Sequence, residues 1–336
     1  MKRILLLFAL CLAVGTPGAW AANRTGSIDM QFDLSSQPKN AAVRLWIPYP
    51  VSDLHQTISN IQWNGNYATA AIYTDQINGT PALYVEWPKG TDHRQLKLSF
   101  SVERHEILRG TLPGEEPAWN AADYAEYLAP TRLGPIDGAV KELATAIVKG
   151  QTTSLGKAKA IYDWTVENMH RDPQTIGCGR GDVCYLLQNP GGKCTDISSV
   201  YVALCRAAGV PAREVFGLRL GKTAQQDITS WQHCWAEVFI PGAGWIPTDP
   251  ADVRKAMLVN NLELDSDKVR ELRDYFWGGI DAYRFKLASG RDLRLNPAQV
   301  GPELNTFGYP YAEVDGKPLD FYDPKSFSYT FTYREQ

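Results

Sequence analysis

Three residues whose types and order suit nucleophilic chemistry lie in the second half of the chain. Cys194 follows the pair Gly191 and Gly192 and stands just before a helix-like run over 197–208. A thiol in the first turn of a helix faces unpaired N–H groups and the positive end of the helix dipole, and both favour the thiolate. His233 and Asp249 follow in order, so a base and an orienting carboxylate are also available.

A hairpin has to bring His233 and Asp249 to one face of a sheet. Strand-like runs over 234–240 and 245–248 are joined by a Pro-Gly-Ala-Gly turn. Because side chains alternate in facing along a strand, Asp249 shares the face of His233 only if residue 240 pairs with residue 244. We therefore predict a three-residue loop, or a bulge with the same effect. The helix should pack an apolar face on this sheet, with Cys194 at its N-terminal edge.

The remaining elements divide the chain into regions. Short alternating strands separated by Asn-Gly turns over 23–108 predict a β-sandwich-like domain, and 109–121, rich in Pro, Gly and Glu, a linker. Helical patterns cover 136–149, 155–170 and 262–274, whereas 177–192 is rich in loop residues. Tyr and Phe alternate with Ser and Thr from Phe327 to Tyr333, which predicts a half-buried terminal strand.

Residues 1–22 have the pattern of a secretory signal peptide. Lys2 and Arg3 precede an apolar run over 4–14, and Ala19-Trp20-Ala21 suits signal peptidase. Cleavage would leave 32 basic against 37 acidic residues, a net charge of about −5, with no basic block. We therefore expect a periplasmic or extracellular protein with no membrane span after cleavage, and no nucleic-acid partner.

Five cysteines would remain after cleavage, an odd number that suggests at least one free thiol. Cys178 and Cys184 flank a short glycine-containing loop that a disulfide could close, while pairing of Cys205 and Cys234 stays open. No histidine pair accompanies Cys178 and Cys184, so free thiols or a disulfide are favoured over zinc. We predict no cofactor and no metal.

Four segments resemble the transglutaminase-like superfamily: Gly192–Asp196, Arg206–Arg213, His233–Val238 and Gly244–Pro250. The resemblance covers about 155–255, and the whole layout is similar to exported bacterial members. It implies an α+β fold with a papain-like core, in which a helix bearing the nucleophile packs on an antiparallel sheet. The N-terminal β-sandwich-like domain precedes this core, placed at 122–260, and residues 261–336 complete or flank it.

The resemblance also implies a Cys194-His233-Asp249 triad that transfers acyl groups through a thioester. The backbone N–H of Cys194 and the side-chain amide of Gln188 are candidate oxyanion donors, although Gln188 could be a plain loop residue; Trp164 and Trp231 are further candidates. Three functions stay open. The chain could hydrolyse peptide, isopeptide or side-chain amide bonds, with cell-wall peptides as one candidate substrate. It could instead cross-link proteins to amines, or bind partners without catalysis. The sequence leaves its oligomeric state open.

Overall fold

The computed structural model describes residues 23–336, so the predicted signal peptide over 1–22 lies outside the described residues. The strands are β1 (Asn23–Asp33), β2 (Val43–Pro48), β3 (Gln56–Gly65), β4 (Thr69–Thr74), β5 (Pro81–Trp87), β6 (Gln95–His105), β7 (His170–Arg171), β8 (Gly191–Gly192), β9 (Ala212–Arg219), β10 (Gln225–Asp227), β11 (Gln232–Ile240), β12 (Gly244–Thr248), β13 (Arg284–Ser289), β14 (Tyr311–Val314), β15 (Lys317–Pro318) and β16 (Ser328–Glu335). The α-helices are α1 (Gly138–Ile147), α2 (Ser154–Asn168), α3 (Val183–Gln188), α4 (Cys194–Ala207), α5 (Pro250–Asn260) and α6 (Asp267–Tyr275), preceded by a 3-10 helix over Ala121–Tyr127. Between residues 23 and 336, none of the helices combines the length and the apolar character that crossing a membrane requires.

Two five-stranded antiparallel sheets form a sandwich. Their strand orders are β10-β16-β1-β6-β3 and β15-β14-β2-β5-β4. Alternate residues of the long strands point inward and share one buried apolar cluster, which includes Ile28, Met30, Phe32, Val43, Leu45, Ile47, Leu96, Leu98 and Phe100. The period-two alternation therefore marks inward-facing positions, and the predicted N-terminal sandwich is confirmed.

The C-terminal strands complete this sandwich. β16 pairs antiparallel with β1, and β14 pairs with β2. The predicted half-buried terminal strand is present, since Phe327, Phe331 and Tyr333 are buried. Residues 261–336 were predicted to complete or flank the core, and one of their strands, β13, pairs with β9 in the core sheet. The pairing of β14 and β16 with N-terminal strands was not expected, because alternation shows which face is buried but not which distant strand lies alongside.

A second sheet, of order β12-β11-β9-β13, carries the helices. α4 packs against β9 and β11, and α1, α2, α3 and α5 surround it. Each of its residues from Cys194 to Ala207 is buried, so α4 is the central helix of the core. Ile240 pairs with Gly244 across the β11–β12 turn, which confirms the predicted register.

Two helices were missed. α5 follows Asp249 directly: the Asp249 side chain accepts a hydrogen bond from the backbone N–H of Asp252, and Pro250 occupies the first helical turn. The sequence pattern over 250–260 did not predict this helix. α3 lies within the expected loop, capped by Asp182. α6 begins after the Ser266 cap, several residues later than predicted.

The pairing of β16 with β1 should contribute measurably to stability. Phe331 is 1% exposed and its ring lies 6.0 Å from that of Phe32. We expect Phe331→Ala to lower the free energy of unfolding by about 3–5 kcal/mol, as large-to-small core substitutions do. Thr330→Ala, on the exposed face of the same strand, should change it by less than about 1 kcal/mol. Equal effects in urea unfolding would contradict the inward placement of Phe331.

Candidate active site

The loop before α4 is held against the start of that helix by Asp196. Its carboxylate accepts hydrogen bonds from the backbone N–H groups of Arg180 (2.9 Å) and Gly181 (2.8 Å) in the loop, and of Lys193 (3.0 Å) at the helix start. An acidic side chain in the first turn also suits the positive end of the helix dipole. These contacts fix the position of Cys194, which is the first residue of α4.

His233 and Asp249 are joined by a buried hydrogen bond. Nε2 of His233 lies 2.7 Å from Oδ2 of Asp249, and the two side chains are 3% and 0% exposed. Because Asp249 occupies Nε2, the other ring nitrogen is left for Cys194, which lines the same cavity as His233. The structure thus brings the three predicted residues together in the order nucleophile, imidazole, carboxylate.

Two further thiols surround Cys194. The Sγ atoms of Cys178, Cys194 and Cys234 all lie within 4.8 Å of one another, and all three residues are buried. Cys178 Sγ accepts a hydrogen bond from Tyr309 Oη (3.3 Å), and Cys234 Sγ lies 3.2 Å from the hydroxyl of Thr195. The nucleophile therefore sits in a small cluster of sulfur atoms.

This cluster favours the thiolate of Cys194. Hydrogen bonds from Cys178 and Cys234 are the main causes that hold the pKa of Cys194 well below its usual range; burial opposes them, and His233 adds to the lowering. Conversely, the pKa of Cys178 is raised, chiefly by its bond to Cys194, and that of Cys234 is raised by burial. These shifts favour the thiolate at Cys194 and the protonated thiol at Cys178 and Cys234, and the Cys178 thiol also lies 3.5 Å from the carbonyl oxygen of Gln232.

The disulfide considered for Cys178 and Cys184 is wrong for this structure. Both are free thiols, as are the other three described cysteines. Cys184 is exposed on α3, whereas Cys178 is buried beside Cys194. Short spacing in sequence suggested pairing, but the start of α3 at Val183 turns Cys184 away from the site.

A buried guanidinium holds the carboxylates behind His233. Arg284 is 0% exposed; its Nη1 lies 2.7 Å from Oδ2 of Asp249, and its Nη2 contacts Asp252 and lies 3.2 Å from Asp281. Arg219 forms a second ion pair with Asp252. Burial raises the pKa of Asp252, but Arg284 and Arg219 outweigh it and hold that pKa well below its usual value.

The same network acts on the imidazole. Burial and the charge of Arg219 lower the pKa of His233, while Asp249 and Asp252 raise it, and the net shift is upward. The site therefore favours an imidazolium beside a thiolate, the charge state of an activated cysteine nucleophile.

A cavity of about 1060 Å³ opens onto Cys194 and His233. Trp231 lines it, but Gln188 and Trp164 do not. Gln188 is exposed at the C-terminal end of α3 and does not line this cavity, so its place in the structure does not favour the predicted donation from its amide to an oxyanion. The six-residue spacing to Cys194 did not account for α3, which carries Gln188 out to the surface.

Two groups of side chains have metal-binding types. The three sulfurs of Cys178, Cys194 and Cys234 are the donors that soft ions such as Zn²⁺ or Cu⁺ prefer. The second group, His233, Asp249 and Asp252, already shares its oxygens with Arg284. Neither group was predicted from the sequence. Spacing along the chain does not show that Cys178 and Cys234 lie beside Cys194, or that Asp252 lies beside Asp249 and His233.

The geometry agrees with comparisons to known proteins. A model of the transglutaminase-like superfamily matches residues 141–250, which include Cys194, His233 and Asp249. An uncharacterized protein of Haemophilus influenzae is 36% identical over 316 residues, covering 87% of this chain and 86% of that protein. This chain belongs to the transglutaminase-like superfamily. The resemblance identified from the four sequence segments is thereby confirmed.

One solved structure shares the fold of nearly the whole chain. A candidate cysteine protease from Cytophaga hutchinsonii superposes with a TM-score of 0.53 at 16% identity, over 94% of this chain and 98% of that one. The periplasmic domain of TgpA from Pseudomonas aeruginosa gives a TM-score of 0.36 at 14% identity, over 76% of this chain and 99% of that one. The first of these extends the fold similarity beyond the core to nearly the whole transglutaminase-like chain.

We expect loss of the Cys178 thiol to weaken the thiolate of Cys194. Cys178→Ala removes a hydrogen bond to a charged group, a contribution of about 1.5–3 kcal/mol, so the pKa of Cys194 should rise and its alkylation at pH 5–6 should slow about tenfold or more. Cys178→Ser keeps a donor and should retain part of the rate. The measurement is the pH dependence of Cys194 carbamidomethylation, followed by peptide mass spectrometry. Cys205→Ala is the control, because Cys205 is a buried thiol on α4, the helix that begins with Cys194, and this variant should leave the pH profile unchanged. A shift as large as that of Cys178→Ala would show that the neighbouring thiols do not specifically stabilise the Cys194 thiolate.

Removing Arg284 should destabilise the fold in a pH-dependent way. Arg284→Met leaves Asp249 buried without a guanidinium and Asp252 paired with Arg219 alone, which costs about 3–5 kcal/mol at pH 7. In the wild type the lowered pKa of Asp252 gives stability that is present above the unfolded pKa of about 3.9 and is lost as the pH falls through the folded pKa. In the variant Arg284 no longer opposes the effect of burial, so the pKa of Asp252 should be higher than in the wild type, and the difference in stability between the proteins should shrink from pH 7 towards pH 4.

Urea unfolding at several pH values tests this expectation. Arg294→Met is the matched control, because Arg294 pairs with Glu303 at the surface and is 60% exposed. Its effect should stay below about 1 kcal/mol at every pH. A loss in Arg284→Met that does not change with pH would show that Arg284 acts by packing alone.

Proposed function

We propose that this chain is a cysteine-dependent acyl-transfer enzyme that hydrolyses peptide, isopeptide or side-chain amide bonds. The observation that carries the proposal is the buried hydrogen bond of 2.7 Å between His233 and Asp249, with the Cys194 thiol on the other side of the imidazole. A core histidine satisfied by one carboxylate would need neither the lowered pKa of Cys194 nor a cavity at that thiol.

The proposed reaction has two halves. The Cys194 thiolate attacks the carbonyl carbon, and the imidazolium of His233 gives its proton to the leaving amine, which leaves a thioester. Neutral His233 then accepts a proton from water as the water attacks the thioester, and the acid is released with the thiolate and imidazolium restored. Asp249 keeps the ring in the required tautomer and orientation throughout.

The oxyanion formed in each half needs N–H donors. The backbone N–H of Cys194 lies in the first turn of α4, where no carbonyl within the helix accepts it. Trp231 lines the cavity, and its indole N–H can act as a donor. We propose these two groups in place of Gln188.

The cavity wall favours water over a lysine amine as acceptor. Its lysine and arginine residues are Arg171, Lys193, Arg219, Lys222 and Lys255, and within the described part of the chain Asp281 is its single acidic residue. A protonated lysine side chain would be repelled there, so cross-linking transglutaminase activity is the weaker alternative. A binding module without catalysis is weaker still. Burying the charges of Arg284 and Asp249 behind His233 costs free energy, and a binding module would have no use for them.

We also propose that the protein is exported to the periplasm or beyond, with residues 1–22 removed as a signal peptide. The charged start, apolar run and Ala-Trp-Ala sequence support this. Five free thiols in an oxidising compartment would be exposed to oxidation, but four of the five are buried, which slows it.

Mass spectrometry tests the proposed activity. The purified protein, whose intact mass also reports removal of residues 1–22, is incubated with a pool of glutamine peptides and cell-wall peptides, with and without a primary amine. We expect cleaved or deamidated products that disappear in Cys194→Ala and fall by at least about 100-fold in His233→Ala. Amine adducts would favour cross-linking instead. Products that persist in Cys194→Ala would contradict the proposal.

A further inference from the structure

The charge of the cavity is one-sided. Five lysine and arginine side chains line it, and among the described residues the only acidic side chain in its wall is that of Asp281. Over the whole chain, acidic residues outnumber basic ones by 37 to 34. The cations are therefore concentrated around this cavity although the chain as a whole carries a net negative charge. This concentration indicates that they have a role at the site beyond solubility.

Three of the five cations lack a neutralising carboxylate. Arg219 pairs with Asp252, and Lys222 is exposed and lies over the ring of Tyr283. The other three, Arg171, Lys193 and Lys255, form no ion pair within 4 Å among residues 23–336, and all three are only half-exposed. The one acidic wall residue, Asp281, is engaged by Arg284.

These three cations approach Cys194 from different elements. Lys193 precedes Cys194 directly, and Arg171 on β7 pairs with Gly192 of β8, two residues before the nucleophile. Lys255 lies on α5, which packs against β7. Burial and Arg219 lower the pKa of Lys255, Asp252 raises it, Arg171 lowers it and the Cys194 thiolate raises it, with a net lowering, so Lys255 lies within electrostatic reach of both Arg171 and Cys194.

The other wall of the cavity is aromatic. Tyr309 stacks on Phe321 with ring centroids 4.8 Å apart, and Tyr322 packs edge-on against both. A ligand in the cavity would thus meet cations beside the nucleophile and flat apolar surface farther along. Guanidinium and ammonium groups that lack protein partners are the usual recognition elements for carboxylates.

We infer that the acyl substrate of this site is an anionic peptide, bound with a carboxylate next to the scissile carbonyl by Arg171, Lys193 and Lys255. This inference rests on the proposed function, because it places the carboxylate relative to the bond that Cys194 attacks. The aromatic wall takes the neighbouring uncharged part of the peptide. A neutral peptide of the same shape forgoes these ion pairs and binds more weakly.

A different role for the cations would be to stabilise the thiolate alone, and one measurement separates the two roles. Iodoacetate and iodoacetamide alkylate the same thiolate, but only iodoacetate carries a carboxylate. The ratio of their rates at Cys194 cancels the thiolate fraction and reports the attraction of the cavity for an anion. We expect wild-type protein at low salt to favour iodoacetate, and the preference to decline as salt rises.

The variants Arg171→Gln and Lys255→Gln, singly and together, should each lower the ratio about three- to tenfold at low ionic strength. Lys149→Gln removes an exposed cation outside the cavity and is the matched control. The midpoint of urea unfolding shows whether each variant is folded. The salt dependence of the iodoacetate-to-iodoacetamide ratio in the wild type is a test that needs no variant.

A peptide probe extends the test to the inferred ligand. Acetyl-Ala-Glu-Ala-Glu-Ala-amide should slow carbamidomethylation of Cys194 more than its glutamine counterpart does, and the double variant should abolish the difference. Rapid Cys194 labelling with a ratio indifferent to salt and to both variants would overturn the inference while leaving the proposed function intact. Cys194 labelling no faster than that of an ordinary thiol at pH 6 would overturn the proposed function and the inference with it.

Discussion

The buried guanidinium of Arg284 is the interaction on which the arrangement of the site depends. It holds Asp249 and Asp252 side by side, and Asp249 in turn holds Nε2 of His233. Two carboxylates buried this close would repel each other and take up a proton without a cation between them. Arg284 therefore lets Asp249 remain an acceptor for the imidazole, and the orientation of His233 towards Cys194 follows from that.

The sandwich has a direct part in this arrangement, because it holds the strand that carries Arg284. The side chain of Gln56 on β3 bonds both the backbone N–H (2.9 Å) and the carbonyl (3.0 Å) of Lys286, and Arg104 on β6 donates to the carbonyl of Arg284 at 2.6 Å. Phe100 and Phe285 pack with ring centroids 5.5 Å apart. The N-terminal sheets thus fix β13, and β13 fixes the cation behind the triad.

The parts that sequence could predict were those with a local signature. The helix start at Cys194 and the register of the β11–β12 hairpin follow from periodicity and turn length, and the sandwich follows from alternation. Arg284 and Cys178 had no such signature, since they reach the site from elements far from the triad residues in the chain. Cys234 directly follows His233 on β11, but its place beside Cys194 depends on how α4 packs against that strand. The proximity of Asp252 to Asp249 could have been predicted. Asp252 stands three residues after the N-cap Asp249, so the first turn of α5 brings the two carboxylates together.

The site separates its two electrostatic tasks by depth. Behind His233 the charged groups are buried and paired. Arg284 is fully buried between carboxylates, where a small displacement would leave an ion unpaired. In front of Cys194, Arg171, Lys193 and Lys255 are half-exposed and form no ion pair within 4 Å among residues 23–336, so this side of the cavity attracts anions without holding any protein group in place. Orientation of the base needs the first condition, and exchange of substrate and product needs the second. Arg284 on β13 lies behind the triad, whereas Arg171 on β7, Lys193 before α4 and Lys255 in the middle of α5 lie in front of it, so the cavity wall can vary while the triad geometry is kept.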